Sequence, residues 1–268
     1  MSEEKSAAQA GRPEIVVETI ADHVVQIRID RPDRLNALGY ATSRELLAAL
    51  ETVVASKTRV LLFRGTGRAF CTGADLKERR TMDAETRSAH NLAINAGIAL
   101  IAKAPMATVA VINGPALGGG CELALACDMR IAAADASIGL TESRIGAIPG
   151  AGGTQRLPRR IGAAFALEMM LTGEPVTGTR AAEIGLVNMA VPAADLDARA
   201  AAFAKLLASR SPNGAREIKR LVYEGMEMPL AQGLQKEREA LLRILGSADY
   251  AEGLAAFAQK RPANFSGE

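Results

Sequence analysis

The sequence has 268 residues, 49% of them hydrophobic, which is enough for one large core or for a core with a helical appendage. Tryptophan is absent and aromatics make up only 3%, so the interior must be built from Ala, Val, Leu, Ile and Met, and base-stacking platforms are excluded. Lys and Arg total 32 against 30 Asp and Glu, scattered among one another without a basic stripe, which argues against nucleic acid as a partner.

Cys71, Cys121 and Cys127 have no zinc-type spacing and leave an odd thiol. This fits a reducing compartment, here the cytoplasm, and argues against a disulfide framework. The segment Met1–Ala8 is polar and acidic, unlike a signal or transit peptide, and no apolar stretch reaches the length of a membrane span.

Beyond a first dozen residues that are expected to fray, Glu14 to Ile20 and His23 to Ile29 are β-branched runs that predict a hairpin turning at Ala21-Asp22. Arg31 to Asn36 predicts a loop, because Pro32 stops the strand. Leu46, Leu47, Leu50, Val53 and Val54 fall at helical spacing within a helix from Ser43 to Ala55, and Arg59 to Phe63 predicts a short buried strand. The alternation continues with a helix from about Ala84 to Ala102, a strand Ala107 to Asn113, a helix entered at Gly119 and a strand Met129 to Ala133. Gly146 to Gly153 predicts a loop around Pro149, followed by helices broken at Gly173, Gly185 and Pro192, and no strand is predicted from about Ala194 onward. The pattern predicts an α/β core over residues 1–195 and a helical C-terminal region over 196–268.

The chemistry concentrates at two glycine turns. At the later one, Gly118-Gly119-Gly120-Cys121-Glu122 enters an apolar helix, so the N–H of Gly119 would be an unpaired donor at a helix start and carry part of its positive dipole. Three glycines also suit close strand–helix packing or a phosphate cradle, although a phosphate loop would end in Lys-Ser/Thr and Cys121-Glu122 has the wrong sign. The turn that comes first in the chain, Gly73-Ala74-Asp75, repeats the geometry and supplies the other donor. Two such donors form an oxyanion hole, able to polarise a thioester carbonyl and hold an enolate oxygen. Glu122 and Glu142 supply a candidate acid–base pair, although Glu122 can also be a solvated first-turn residue and Glu142 a cap or a partner of Arg144. His23 and His90 lie near no nucleophile-elbow serine, so a Ser-His-Asp hydrolase is excluded, and no metal-ligand cluster is visible.

Five segments carry a family resemblance: Arg31 to Leu38, Gly73 to Arg79, Ala116 to Glu122, Ile148 to Leu157, and Glu252 to Pro262. In this order along nearly the whole chain they resemble the enoyl-CoA hydratase/isomerase (crotonase) family. The resemblance implies a spiral of ββα units with a helical trimerisation region, and a homotrimer or dimer of trimers. It also implies Ala74 and Gly119 as oxyanion donors, Glu122 as the group activating water, Glu142 as the protonated acid, and Gly150 beside the reacting water. Coenzyme A would lie against Arg34 and Leu35 and against Asp75, Leu76 and Lys77, with Phe257 and Lys260 reaching its adenine end from the same or an adjacent subunit.

The function so implied is hydration of a 2-enoyl-CoA to a 3-hydroxyacyl-CoA, with no cofactor beyond the coenzyme A of the substrate. The sequence itself leaves open which glutamate is base and which is acid. The alternatives are an isomerase or dehydratase of the same family, and a non-catalytic acyl-CoA-binding protein, for which loss of one carboxylate would be expected. Gly73 to Arg79, Leu123 to Asp128 and Pro212-Asn213-Gly214 are most similar to the methylglutaconyl-CoA hydratase branch, whose acyl group ends in a carboxylate that Arg79, Arg80 or Arg144 would meet.

Overall fold

A computed structural model describes residues 12–268. The expectations for the N-terminal segment therefore fall, but for Arg12, outside the described residues. Strands β1 (Ile15–Ala21) and β2 (Val24–Ile29) form the predicted antiparallel hairpin, with Ile15 opposite Ile29. Its turn sits one residue later than expected, at Asp22-His23, where His23 takes a positive φ of 58°. A β-bulge between Thr19 and Ala21 carries that offset.

From β2 the sheet grows by parallel pairing through β3 (Val60–Gly65), β4 (Ala107–Ile112), β6 (Met129–Ala133) and β9 (Met189–Val191), in the order β1-β2-β3-β4-β6-β9. Strands β3 and β4 are buried almost without interruption, as parallel strands covered on both faces must be. A second sheet of three short strands, β5 (Ala116–Leu117), β7 (Ser137–Gly139) and β8 (Val176–Thr177), lies beside the first. These three and β9 were not predicted, because two or three residues carry no readable alternation.

Helix α1 (Tyr40–Val54) buries Leu46, Leu50 and Val53, and packs on α3 (Ala84–Lys103), which buries Ile94, Ile98 and Ile101. Each such side chain contributes about 1.5–3 kcal/mol on burial. Helix α1 begins three residues before the predicted start because Gly39 is extended and the backbone N–H of Tyr40 finds Glu78 Oε1 at 3.0 Å. That carboxylate belongs to α2 (Leu76–Arg79), so the cap of α1 is supplied by the segment that follows the first glycine turn.

Helix α4 (Gly119–Ala126) is buried on every side but its first residue, while α5 (Gly153–Thr172) is interrupted at Gly162 and α6 (Gly178–Glu183) leads into β9. Beyond β9 no strand occurs among the described residues. Helix α7 (Leu196–Ala208) buries Leu196, Ala200 and Ala204 against the six-stranded sheet. Helices α8 (Pro212–Gly225) and α9 (Leu230–Leu245) pack mainly on each other, joined by ion pairs from Glu217 to Arg243 and from Glu224 to Lys236, while Arg220 bridges the same two glutamates within α8. Helix α10 (Ala248–Gln259) follows, anchored by the buried carboxylate of Asp249, which accepts from Ser211 Oγ at 2.6 Å and from the backbone N–H groups of Ser266 and Gly267. No described helix is long and apolar enough to cross a membrane.

Candidate active site

The two glycine turns meet. Parallel bridges join Cys71 to Ala116 and Leu38 to Ala74, and Leu117 donates its backbone N–H to Cys71 O at 3.0 Å. Their separation is set by missing side chains: a Cβ on Gly120 would stand 1.9 Å from Cys71 O, and one on Gly73, whose φ is +83°, 2.8 Å from the Gly119 nitrogen. Among the described residues neither the Ala74 nor the Gly119 N–H has an acceptor within the chain. Both residues line one cleft of ≈ 590 Å³. Two bare donors held side by side there are what an oxyanion requires.

The first turn is braced from behind. Leu38 O accepts from the Asp75 N–H at 2.9 Å and from His90 Nε2 at 3.0 Å, and Leu38 N–H reaches Gly73 O at 2.7 Å. Burial pushes the His90 pKa down, which favours the neutral imidazole that donates to Leu38 O. The Asp75 carboxylate is also inward: it accepts from the N–H groups of Lys77 and Glu78 at the start of α2 and lies 3.5 Å from Arg31 Nη1.

Glu122 sits in the first turn of α4 at 3% exposure, and its Oε1 accepts the backbone N–H groups of Ala151 at 2.7 Å and Gly153 at 2.8 Å. These bonds fix the carboxylate and leave Oε2 to the cleft. Burial raises the Glu122 pKa, opposed by the two N–H bonds and by Arg156, whose Nη1 is held on Ala151 O at 2.8 Å. Glu142 opens a 3-10 turn, Glu142–Ile145, and its Oε2 is buried with no hydrogen-bond partner. Its pKa is also raised, first by burial and then by the charge of Glu122. Arg144, the alternative partner considered for Glu142, instead pairs with Glu174 at 2.6 Å.

The cleft thus brings together Ala74, Gly119, Glu122 and Glu142, with Leu76 and Gly150 also on its wall. Arg34, Leu35, Asp75, Lys77, Phe257 and Lys260 are not among its lining residues, and Phe257 is 87% exposed on α10. Sequence reasoning missed the Ala151 and Gly153 donors; for Gly153 the signal was the start of α5, since first-turn N–H groups lack helical acceptors, while Ala151 lies in the loop before it. A second cavity of ≈ 660 Å³ lies between α8 and the sheet. Its one lining carboxylate, Asp128, is already satisfied by Lys219 Nζ at 2.8 Å, Tyr223 OH and Thr108.

The family model for enoyl-CoA hydratase/isomerase matches residues 19–268. The chain belongs to that family. Family members act on acyl-CoA thioesters, and this chain is 41% identical to human "Enoyl-CoA hydratase domain-containing protein 2, mitochondrial", over 98% of this chain and 93% of that one. It is 38% identical to rat "Methylglutaconyl-CoA hydratase, mitochondrial", over 91% and 80%. A crystal structure of an enoyl-CoA hydratase from Bacillus anthracis superposes with a TM-score of 0.92 at 41% identity, covering 95% of this chain and all of that one. The fold is accordingly the crotonase spiral expected from the motifs.

The raised Glu142 pKa in this enoyl-CoA hydratase/isomerase fold carries a stability cost with a defined sign. The folded state holds a proton that the unfolded state has already lost, so stability falls as pH rises from the ordinary value of 4.5 through the folded value. Glu142→Gln removes the buried charge. Its urea midpoint is predicted to exceed that of the wild type at about pH 8, with the gain shrinking toward zero at about pH 4. A difference independent of pH would contradict the burial of this carboxylate.

Proposed function

We propose that the chain is an enoyl-CoA hydratase, adding water syn across the 2,3 double bond of a 2-enoyl-CoA to give a 3-hydroxyacyl-CoA. The observation that carries this reading is the pair Glu122 and Glu142 in one cleft with two bare amides. The N–H groups of Ala74 and Gly119 hold the thioester oxygen and draw electron density from C3. Glu122, fixed by two N–H donors and facing Arg156, is the better anion and takes a proton from water, whose oxygen bonds to C3. Glu142, whose pKa is raised by burial and by the charge of Glu122 with no cation opposing them, is the proton source, and delivers its proton to C2 as the enolate collapses. The Glu122 proton then returns the pair to its starting state, and the reaction draws on no cofactor beyond the coenzyme A of the substrate.

An isomerase needs only one carboxylate to carry a proton between carbons, so the second favours hydration. Leu76 and Gly150 on the cleft wall support the thioester placement. Arg34, Leu35, Asp75 and Lys77 remain the proposed contacts for coenzyme A, Asp75 through its backbone because its carboxylate is committed to α2 and Arg31. The three free, buried cysteines suit a reducing compartment, as proposed for the cytoplasm, while the human and rat relatives carry mitochondrial names.

Glu122→Gln and Glu142→Gln are each predicted to slow hydration of crotonyl-CoA by about two to four powers of ten, with an unchanged circular dichroism spectrum. The assay follows loss of the enoyl thioester absorbance. Near-normal turnover in either variant removes that residue from the mechanism, and double-bond migration without hydration replaces the hydratase by an isomerase.

The helical C-terminal region leads to a second proposal, a homotrimer or a dimer of trimers. Val222, Met226, Leu230, Leu234, Leu241, Leu242, Leu245 and Phe257 are all exposed on α8, α9 and α10 of the single chain. So many large apolar side chains on neighbouring helices suit burial between subunits, which would also bring Phe257 and Lys260 to a neighbour's coenzyme A. Light scattering at micromolar concentration is predicted to give a mass of three or six chains; the mass of one chain would contradict it.

A further inference from the structure

The wall that carries Glu122 is backed by a cation that does not itself line the cleft. Arg156 stands about one turn into α5, near the end of the helix where the dipole disfavours a positive charge. It is half-buried, and burial lowers its pKa. Among the described residues no carboxylate forms an ion pair with it. Its side chain donates from Nη1 to Ala151 O at 2.8 Å, and the charge that acts on it most is that of Glu122, ahead of Tyr223 and Cys127.

The backbone is shaped around this placement. Gly152 has a φ of +103°, and a Cβ there would stand 2.1 Å from Arg156 Nη1, so the glycine leaves the space in which the guanidinium folds back on the loop. Arg156 N–H also reaches Gly152 O at 2.8 Å. Ala151 is thereby gripped through both of its polar groups. Its carbonyl accepts from Arg156, and its N–H donates to Glu122 Oε1 at 2.7 Å, with the Gly153 N–H beside it at 2.8 Å.

A loop clamp needs only a neutral donor. Asn36 is one, holding the carbonyls of Thr66 and Ala69 with its side-chain amide. A half-buried guanidinium costs desolvation that such a clamp does not require, and what it adds is charge. The titratable groups about Glu122 are Glu142 of the 3-10 turn, Cys121 of its own helix and Arg156 of α5. Burial keeps the Cys121 thiol neutral and Glu142 is a carboxyl like Glu122 itself, so Arg156 is the cation that favours the Glu122 anion.

We propose that Arg156 is a positioning residue for hydration: it clamps Ala151 so that two amides meet Glu122, and its charge keeps Glu122 the anionic member of the pair. This rests on the reading of Glu122 as the group that activates water. Arg156 acts through Ala151 and through its field, touching no substrate.

The test separates charge from clamp with Arg156→Gln, which keeps a donor, Arg156→Lys, which keeps the charge, and Arg156→Met, which keeps neither. Removing a cation favours the protonated carboxyl, so the acid limb of kcat/KM for crotonyl-CoA is predicted to move to higher pH in Arg156→Gln and Arg156→Met. At about pH 5 the loss is predicted to be about tenfold or more, shrinking as pH rises, and Arg156→Lys recovers most of it. Infrared difference titration of the free enzyme reads the same event without turnover. The protonated-carboxyl band that Glu122→Gln removes is predicted to persist to higher pH in the Gln and Met variants and not in the Lys variant. A loss of activity equal at every pH, as a merely structural arginine would give, overturns the proposal, and so does an infrared titration unmoved in Arg156→Gln. If the wild type does not hydrate crotonyl-CoA but the band still moves in the Gln and Met variants, the hydratase reading fails and the assignment of Arg156 to Glu122 stands.

Discussion

The close contact between two backbone turns organises this molecule. A hydrogen-bond donor can be aimed at a ligand only if its own chain offers no acceptor, and a helix start provides such a donor without cost to the helix. One such start is common; two pointing at one spot require backbones closer than side chains allow. Gly73 and Gly120 meet that demand, and the bridge from Cys71 to Ala116 locks the distance. The rest of the core reads as support for that contact. Strands β3 and β4 deliver the two turns from adjacent positions in a parallel sheet, and Leu38, just before α1, braces the Gly73 turn, itself held by His90 of α3.

The electrostatics of the cleft follow from its burial. Two carboxylates on one wall would repel each other as anions, and low exposure raises both pKa values. Their surroundings differ: Glu122 Oε1 receives two backbone donors and its carboxylate the field of Arg156, while burial and the charge of Glu122 act on Glu142 with no cation opposing them. The buried thiols next to the site are silenced by the same burial, which pushes Cys71 up to about 12 and raises Cys121 and Cys127 further.

Much of this was legible in the sequence, and the exceptions share a cause. Strand β6 has the bounds read from its apolar run, the hairpin is offset by one residue, and the glycines at 73 and 118–120 marked the donor turns directly. Strands β5, β7, β8 and β9 were invisible because they are ordered by their neighbours and not by their own pattern. Side-chain partnership was equally hidden: nothing in the order of residues says that Arg144 chooses Glu174, or that Ala151 and Gly153 at the entry to α5 lend two amides to Glu122. Such pairings are set by folding and have no signature at short range.

The central claim is that the Ala74 and Gly119 amides act together on one carbonyl oxygen. Infrared difference spectroscopy of crotonyl-CoA labelled with carbon-13 at the thioester carbonyl measures this directly. In the wild-type complex the carbonyl stretch is predicted to shift well below its frequency in water. In a folded Gly119→Pro variant that still binds the thioester, most of that shift is predicted to vanish, because proline has no N–H to donate. A carbonyl frequency in the wild-type complex equal to that in water would contradict the oxyanion hole.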